Sequence, residues 1–193
     1  MYEGPSSKIK IGNLITKGFK VTKGLRQGCS LSPTLFKIYL ERVSRNWKRR
    51  CQPMGIPIQN THVYSLNFAD DQLLIAQDHE VMEFMARKLK KEYEKWGLTI
   101  NLKNKTKYIC IGEEKESLKF DNGEEIKPSR ECTYLGTKID QTGDNTTEIK
   151  HRINQTRKAI NALNSIWWHK DITKNIKLYI YQTIIQSILM YGA

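Results

Sequence analysis

At 193 residues, 39% of them apolar, the chain can fill one large core or two small ones and is not a disordered tail. Thirty-two Lys and Arg against twenty Asp and Glu leave a formal charge of +12, which favours a polyanion over a neutral small molecule and puts nucleic acid first among partners. Cys29, Cys51, Cys110 and Cys132 form no Cys-x-x-Cys pair and match no His spacing, so neither a zinc site nor a disulfide framework is suggested; no apolar run approaches the roughly 20 residues of a bilayer span.

Residues 1–5 begin no signal-peptide pattern, and a soluble intracellular protein, nuclear or cytoplasmic and away from membranes, is expected. Residues 8–22 alternate apolar and lysine-containing stretches around Gly12-Asn13 and Gly18, which predicts a small hairpin leading into a loop over 23–31. Ser32 as N-cap and Pro33 at the first helical position then start a helix, on which Leu35, Phe36, Tyr39, Leu40, Val43 and Trp47 recur at helical spacing. Pro53, Gly55 and Pro57 break it. Two β-favouring runs, 63–68 and 72–76, flank Ala69-Asp70-Asp71 and predict a hairpin with two acids at its turn. Val81, Met85, Leu89, Tyr93 and Trp96 mark one face of a second helix, ended by Gly97. A strand at 108–112, a hairpin around Asp121-Asn122-Gly123 and a strand at 133–139 are expected next. From Glu148 onward Ile149, Ile153, Ile160 and Leu163 predict a helix packed into a small bundle with a second one over 174–190, and Trp167 and Trp168 read as core. The change to helix alone near Gly143 is the plausible domain boundary.

Two segments carry chemistry. Adjacent carboxylates at a tight turn, Asp70 and Asp71, sit where a hard divalent cation can reach their oxygens, and alternation of strand side chains makes one of them the better ligand. An Asp-Asp turn alone is an ordinary polar turn. Upstream stands Gly24-Leu25-Arg26-Gln27-Gly28-Cys29-Ser30-Leu31-Ser32-Pro33, where two glycines permit close backbone approach, Arg26 can reach phosphate and Gln27 a base or sugar edge. A capped helix start explains Ser32 and Pro33 but not Gly24, Gln27 and Gly28.

This decapeptide, followed by Phe68-Ala69-Asp70-Asp71 in a hairpin, resembles the reverse transcriptases of non-LTR, LINE-type retrotransposons. Group II intron and retron enzymes share the Ala-Asp-Asp turn, but their preceding loop usually lacks the Arg-Gln-Gly-Cys-x-Leu-Ser-Pro form. Gly97-Leu98-Thr99-Ile100-Asn101 and Lys105-Thr106-Lys107 resemble the motif that closes the palm, and Tyr134-Leu135-Gly136 the primer grip, in the family's order.

The resemblance implies an α+β fold: a palm fragment, an antiparallel sheet backed by the first two helices, followed by a helical thumb. Residues 1–112 would be partial palm, 113–142 strands including the primer-grip-like segment, and 143–193 partial thumb. It implies RNA-directed DNA polymerisation by two-metal nucleotidyl transfer, with an RNA template, a DNA primer, deoxynucleoside triphosphates and Mg²⁺ or Mn²⁺. Asp70 and Asp71 would hold metal and Lys105 would protonate the pyrophosphate leaving group, with Lys107 close behind. Gly24, Arg26, Gln27, Gly28, Ser32, Pro33, Phe68 and Ala69 would contact nucleotide and template, Tyr134, Leu135 and Gly136 the primer, and Lys150, Arg152, Arg157 and Lys158 duplex phosphates.

In the family a first carboxylate motif lies upstream of the Gly-rich loop, where here the only acid is Glu3. Met1-Tyr2-Glu3-Gly4 resembles the segment just after that motif, and Tyr191-Gly192-Ala193 a mid-thumb position. The expectation is therefore a C-terminal palm and partial thumb: a gene-model fragment, a decayed element, or a piece that works only with an upstream polypeptide half. The alternative is a catalytically dead nucleic-acid-binding remnant; a retained interaction protein unrelated to polymerisation has no positive support in the sequence.

Overall fold

The computed structural model describes residues 6–103, 105–112 and 116–193. The opening tetrapeptide, with Glu3, lies outside them. The chain divides into two compact units, Met1–Asn46 and Trp47–Ala193.

In the first unit, strands β2 (Lys10–Ile11) and β3 (Leu14–Ile15) turn at Gly12, whose φ is +59°. Strands β1 (Ser6–Ser7) and β4 (Phe19–Lys20) pair outside them. Reciprocal bonds between Ile9 and Thr16 join the two tiers: the Thr16 N–H donates to the Ile9 carbonyl, and the Ile9 N–H to the Thr16 hydroxyl, each at 3.0 Å. Helix α1 (Ser32–Arg50) follows the loop and runs into the second unit. Its Val43 and Trp47 are buried as the periodicity predicts, whereas Tyr39 is exposed.

The second unit begins with a hairpin, β5 (Ile56–Ile58) with β6 (Thr61–Val63), where proline breaks alone were expected. Pro57 is accommodated because each two-stranded ladder has only edge strands, whose outer N–H groups need no partner. Strands β7 (Ser65–Phe68) and β8 (Asp71–Leu74) form the expected acidic hairpin. Helix α2 (His79–Lys95) is capped by Asp78, which accepts from the Val81 N–H at 2.8 Å, and ends before Gly97 at φ +69°. Strands β9 (Leu118–Lys119) and β10 (Glu125–Ile126) make the hairpin around Gly123. Instead of a strand at 108–112 there is one isolated bridge, Tyr108 to Pro128. The single strand expected at 133–139 is a hairpin, β11 (Glu131–Tyr134) with β12 (Thr137–Asp140). Helices α3 (Thr146–Ala162), α4 (Asn164–Trp168), α5 (Lys174–Ile180) and α6 (Ser187–Leu189) complete the unit, α5 and α6 joined by a π-helical turn, Tyr181–Gln186.

The architecture is α+β, with small antiparallel sheets among helices. Among the described residues the sheets are six separate two-stranded ladders, not the one helix-backed sheet expected. Two apolar clusters hold the second unit together. Trp47, Cys51, Met85 and Leu89 pack with Tyr64 and Leu74, and Ala86, Leu102, Tyr108, Leu118, Phe120 and Ile126 pack with Ile100. The Trp47 indole donates to the Met85 carbonyl at 2.9 Å and meets the Tyr64 ring edge-on, centroids 6.4 Å apart. Burial pushes the Cys51 thiol up to about 11, so it serves as a small apolar side chain.

In the helical region Ile185 is fully buried, but Ile149, Ile153 and Ile160 are exposed, so the bundle seam does not use the face read from their spacing. Trp168 is 79% exposed rather than core, and Trp167 is half-buried with its indole on the Ile160 carbonyl. No helix among the described residues is long and apolar enough to cross a membrane.

Candidate functional site

The acidic hairpin is built by register. Phe68 pairs with Asp71 and Leu66 with Leu73, which puts these four on one face; Asn67 and Gln72 share the other. The second face is anchored, because the Tyr93 hydroxyl of α2 donates to the Gln72 side-chain oxygen at 2.6 Å. On the first, Leu66, Phe68 and Asp71 are exposed, and Asp70 is exposed at the turn. The two acids are thus not equivalent, as strand alternation predicts: Asp71 stands on the open face beside Phe68, Asp70 at the apex.

Ala69 has φ +52°. A positive φ at the first of two central residues is the type II′ pattern that glycine usually fills, so alanine there stores backbone strain of order 1–3 kcal/mol. Only oxygen donors are offered by Asp70 and Asp71, which suits a hard divalent cation held by one or two carboxylates with the remaining positions left for water and phosphate. Among the described residues no three His, Cys, Asp or Glu gather into a metal-binding group, so the pair fits such an ion as part of a site that substrate and further acids complete.

The β11–β12 hairpin reaches this one. The Tyr134 hydroxyl donates to the Leu66 carbonyl at 3.0 Å, and burial together with the negative charge of Asp71 pushes its pKa up. Leu135 and Gly136 both have positive φ, +48° and +82°, the type I′ turn that matches strand twist. The structure therefore brings the Tyr134 hydroxyl to the acidic hairpin, at Leu66 and within the field of Asp71, while the Leu135 and Gly136 carbonyls face Tyr191 and Arg152.

Lys105 and Lys107 are exposed. Their segment is held by Ile100 and Leu102 in the core and by Thr106, whose N–H and hydroxyl both donate to the Asn101 carbonyl. The relation of Lys105 to the two acids rests on the family resemblance.

The Gly-rich loop belongs to the first unit. The Arg26 carbonyl organises it, accepting from the Cys29 N–H and, at 2.7 Å, from the Ser32 hydroxyl. Ser32 thus closes the loop onto the helix start, while Arg26 and Gln27 are exposed. Gly24 and Gly28 adopt φ +95° and +79° with open space where a Cβ would stand, so backbone conformation rather than crowding calls for glycine.

On α3, Lys150, Arg157 and Lys158 are exposed as phosphate ligands should be. Arg152 departs from that reading: its guanidinium is engaged with Glu148, the Gly136 carbonyl and the Tyr191 ring. A cleft of about 550 Å³ between α3 and α6 is lined by His151, Arg152, Gln155, Lys158 and Ile188. Neither Glu148 nor Tyr191 was read as a site residue from the sequence; the four-residue spacing of Glu148 and Arg152 was the trace of their pairing.

Residues 4–139 match the family model described as Reverse transcriptase (RNA-dependent DNA polymerase). The chain is also similar to the Retrovirus-related Pol polyprotein from type-2 retrotransposable element R2DM of Drosophila melanogaster, 26% identical over 152 residues. That match covers 74% of this chain and 14% of the relative's length.

Proposed function

Since the chain belongs to the reverse transcriptase (RNA-dependent DNA polymerase) family, in its non-LTR retrotransposon branch, we propose that it supplies the Asp70–Asp71 half of a two-metal polymerase centre, with partial palm at 1–112, the primer grip within 113–142 and partial thumb at 143–193. The observation that carries this reading is the exposed acidic hairpin tied through Tyr134 to the primer-grip-like turn.

Asp70 and Asp71 would hold Mg²⁺ or Mn²⁺, which when bound stabilises the charge on attacking and leaving oxygens. Phe68, on the same face as Asp71, offers an aromatic surface beside the reacting end of the primer. The Leu135–Gly136 turn seats that primer, and Lys105 gives a proton to the pyrophosphate. Gly24, Arg26, Gln27, Gly28, Ser32, Pro33 and Ala69 shape the nucleotide and template contacts. Template RNA, primer DNA and deoxynucleoside triphosphates are the substrates, and the working site is nucleus or cytoplasm.

Alone, the 193-residue chain is expected to show no primer extension on an RNA template with Mg²⁺, because a site with half its carboxylates binds an ion only weakly and aligns neither it nor the nucleotide for reaction. Extension should appear when the upstream half is supplied. Extension by the chain alone that disappears in an Asp70→Asn, Asp71→Asn variant would mean that an acid of this chain, or of a second copy, completes the site. Extension by that variant would refute the assignment.

Duplex binding should be independent of sequence and weaken steeply with salt, since Lys150, Arg157 and Lys158 release counterions from phosphates. Isotherms at low and moderate salt check this; superimposable curves would contradict it.

A further inference from the structure

The Leu135–Gly136 turn is held from two sides. Toward the acidic hairpin, Tyr134 donates to the Leu66 carbonyl. Toward the helices, the Gly136 carbonyl accepts from the Arg152 guanidinium and the Leu135 carbonyl from the Tyr191 hydroxyl at 2.6 Å. The two donors stack, the guanidinium 4.5 Å from the Tyr191 ring centroid. Arg152 is in turn fixed by Glu148, one helical turn earlier and 7% exposed, whose other oxygen accepts from the Lys138 N–H at 2.7 Å. Burial pushes the Glu148 carboxyl up, but the Lys138 N–H and Arg152 outweigh this and hold it below the usual range, so it stays charged. Next to Tyr191, Gly192 packs so closely on Thr137 that a Cβ would lie 2.9 Å from the Thr137 hydroxyl.

We propose that Arg152, oriented by Glu148 and covered by Tyr191, is a positioning residue that locks the Leu135–Gly136 turn and couples it to duplex binding in the α3–α6 cleft. The coupling rests on the reading of that turn as a primer grip; the lock itself does not. Arg152 both lines the cleft and bonds the turn, so a duplex settling against His151, Gln155 and Lys158 restrains the helix that carries the lock. A planar, forked donor is needed, because one guanidinium serves the Glu148 carboxylate and the Gly136 carbonyl at once.

The test is amide hydrogen exchange across 134–138 in the 193-residue chain, free and with a duplex of about 20 base pairs of RNA–DNA as probe, roughly two helical turns of contact. The parent is compared with Arg152→Lys, which keeps the charge, and Tyr191→Phe, which removes one bond to the turn. Exchange at Met85 and Leu89 reports whether each variant folds. In the free chain the turn should exchange about tenfold faster in Arg152→Lys, and by a smaller factor in Tyr191→Phe, with the core unchanged. With both proteins saturated by duplex, the parent's turn should be slowed about tenfold and that of Arg152→Lys left unchanged. Parental exchange at the turn in both free variants would overturn the lock, and equal slowing by duplex in parent and Arg152→Lys would overturn the coupling. If duplex does not bind the parent, the nucleic-acid reading fails while the free-chain comparison still decides the lock.

Discussion

In a polymerase completed by the upstream half, the Asp70→Asn, Asp71→Asn variant is expected to extend an RNA-templated primer at least about 10³-fold more slowly than its parent. Removing one neutral donor from a transition-state site costs on the order of 10²–10³ in rate, and two carboxylates that hold a divalent cation carry more charge than one such donor. Asparagine keeps the shape and one oxygen but loses the negative charge that keeps the cation in place. Folding should be little affected, by within about 0.5 kcal/mol, because both side chains are exposed and the hairpin is held by register and by Tyr93 and Tyr134. Single-turnover extension by each single variant separates the two acids. A loss under about tenfold in the double variant would remove the hairpin from the chemistry.

The largest stability effect is expected at Trp47. Trp47→Ala empties the centre of the Cys51, Met85, Leu89 and Tyr64 cluster and should destabilise the second unit by about 3–5 kcal/mol. Trp47→Phe keeps much of the ring and loses the bond to the Met85 carbonyl, so its cost should be nearer about 1 kcal/mol plus the missing volume. Urea unfolding followed by far-UV circular dichroism checks both. Equal costs would mean that the indole N–H, not the packing, governs this core.

Helix periodicity located α1, α2 and α3, because each carries an apolar stripe, and the acidic turn was legible from two β-favouring runs around Asp70-Asp71. Other elements depended on contacts that no local window contains. The turn between β11 and β12 has Leu135 at positive φ, where Asn or Gly would have announced it, and Tyr191, 56 residues away, helps hold it. The β5–β6 hairpin was hidden by Pro57, which forbids only the interior of a sheet. Residues 108–112 have strand composition, yet Tyr108 is drawn into the core and bonds His79 at 3.0 Å, leaving one bridge.

The candidate site was similarly divided. Phe68 to Asp71 and Gly24 to Pro33 were marked by residue types whose chemistry is local, and Tyr134 to Gly136 by the family resemblance alone. Arg152 read as one more basic residue on a polar face, because the carboxylate and the carbonyl that claim it come from another turn of α3 and from the β11–β12 hairpin. The backbone strain at Ala69 was not legible, since a positive φ is a property of the folded turn.

The claim that Asp70 and Asp71 hold the divalent cation is tested most directly by titrating Mn²⁺ into the isotopically labelled chain and following paramagnetic broadening of its amide signals. Broadening centred on residues 68–72, and lost in the Asp70→Asn, Asp71→Asn variant, is the result expected. Broadening that survives in the variant, or is centred instead on the acids around Asp140 and Asp144, would contradict it.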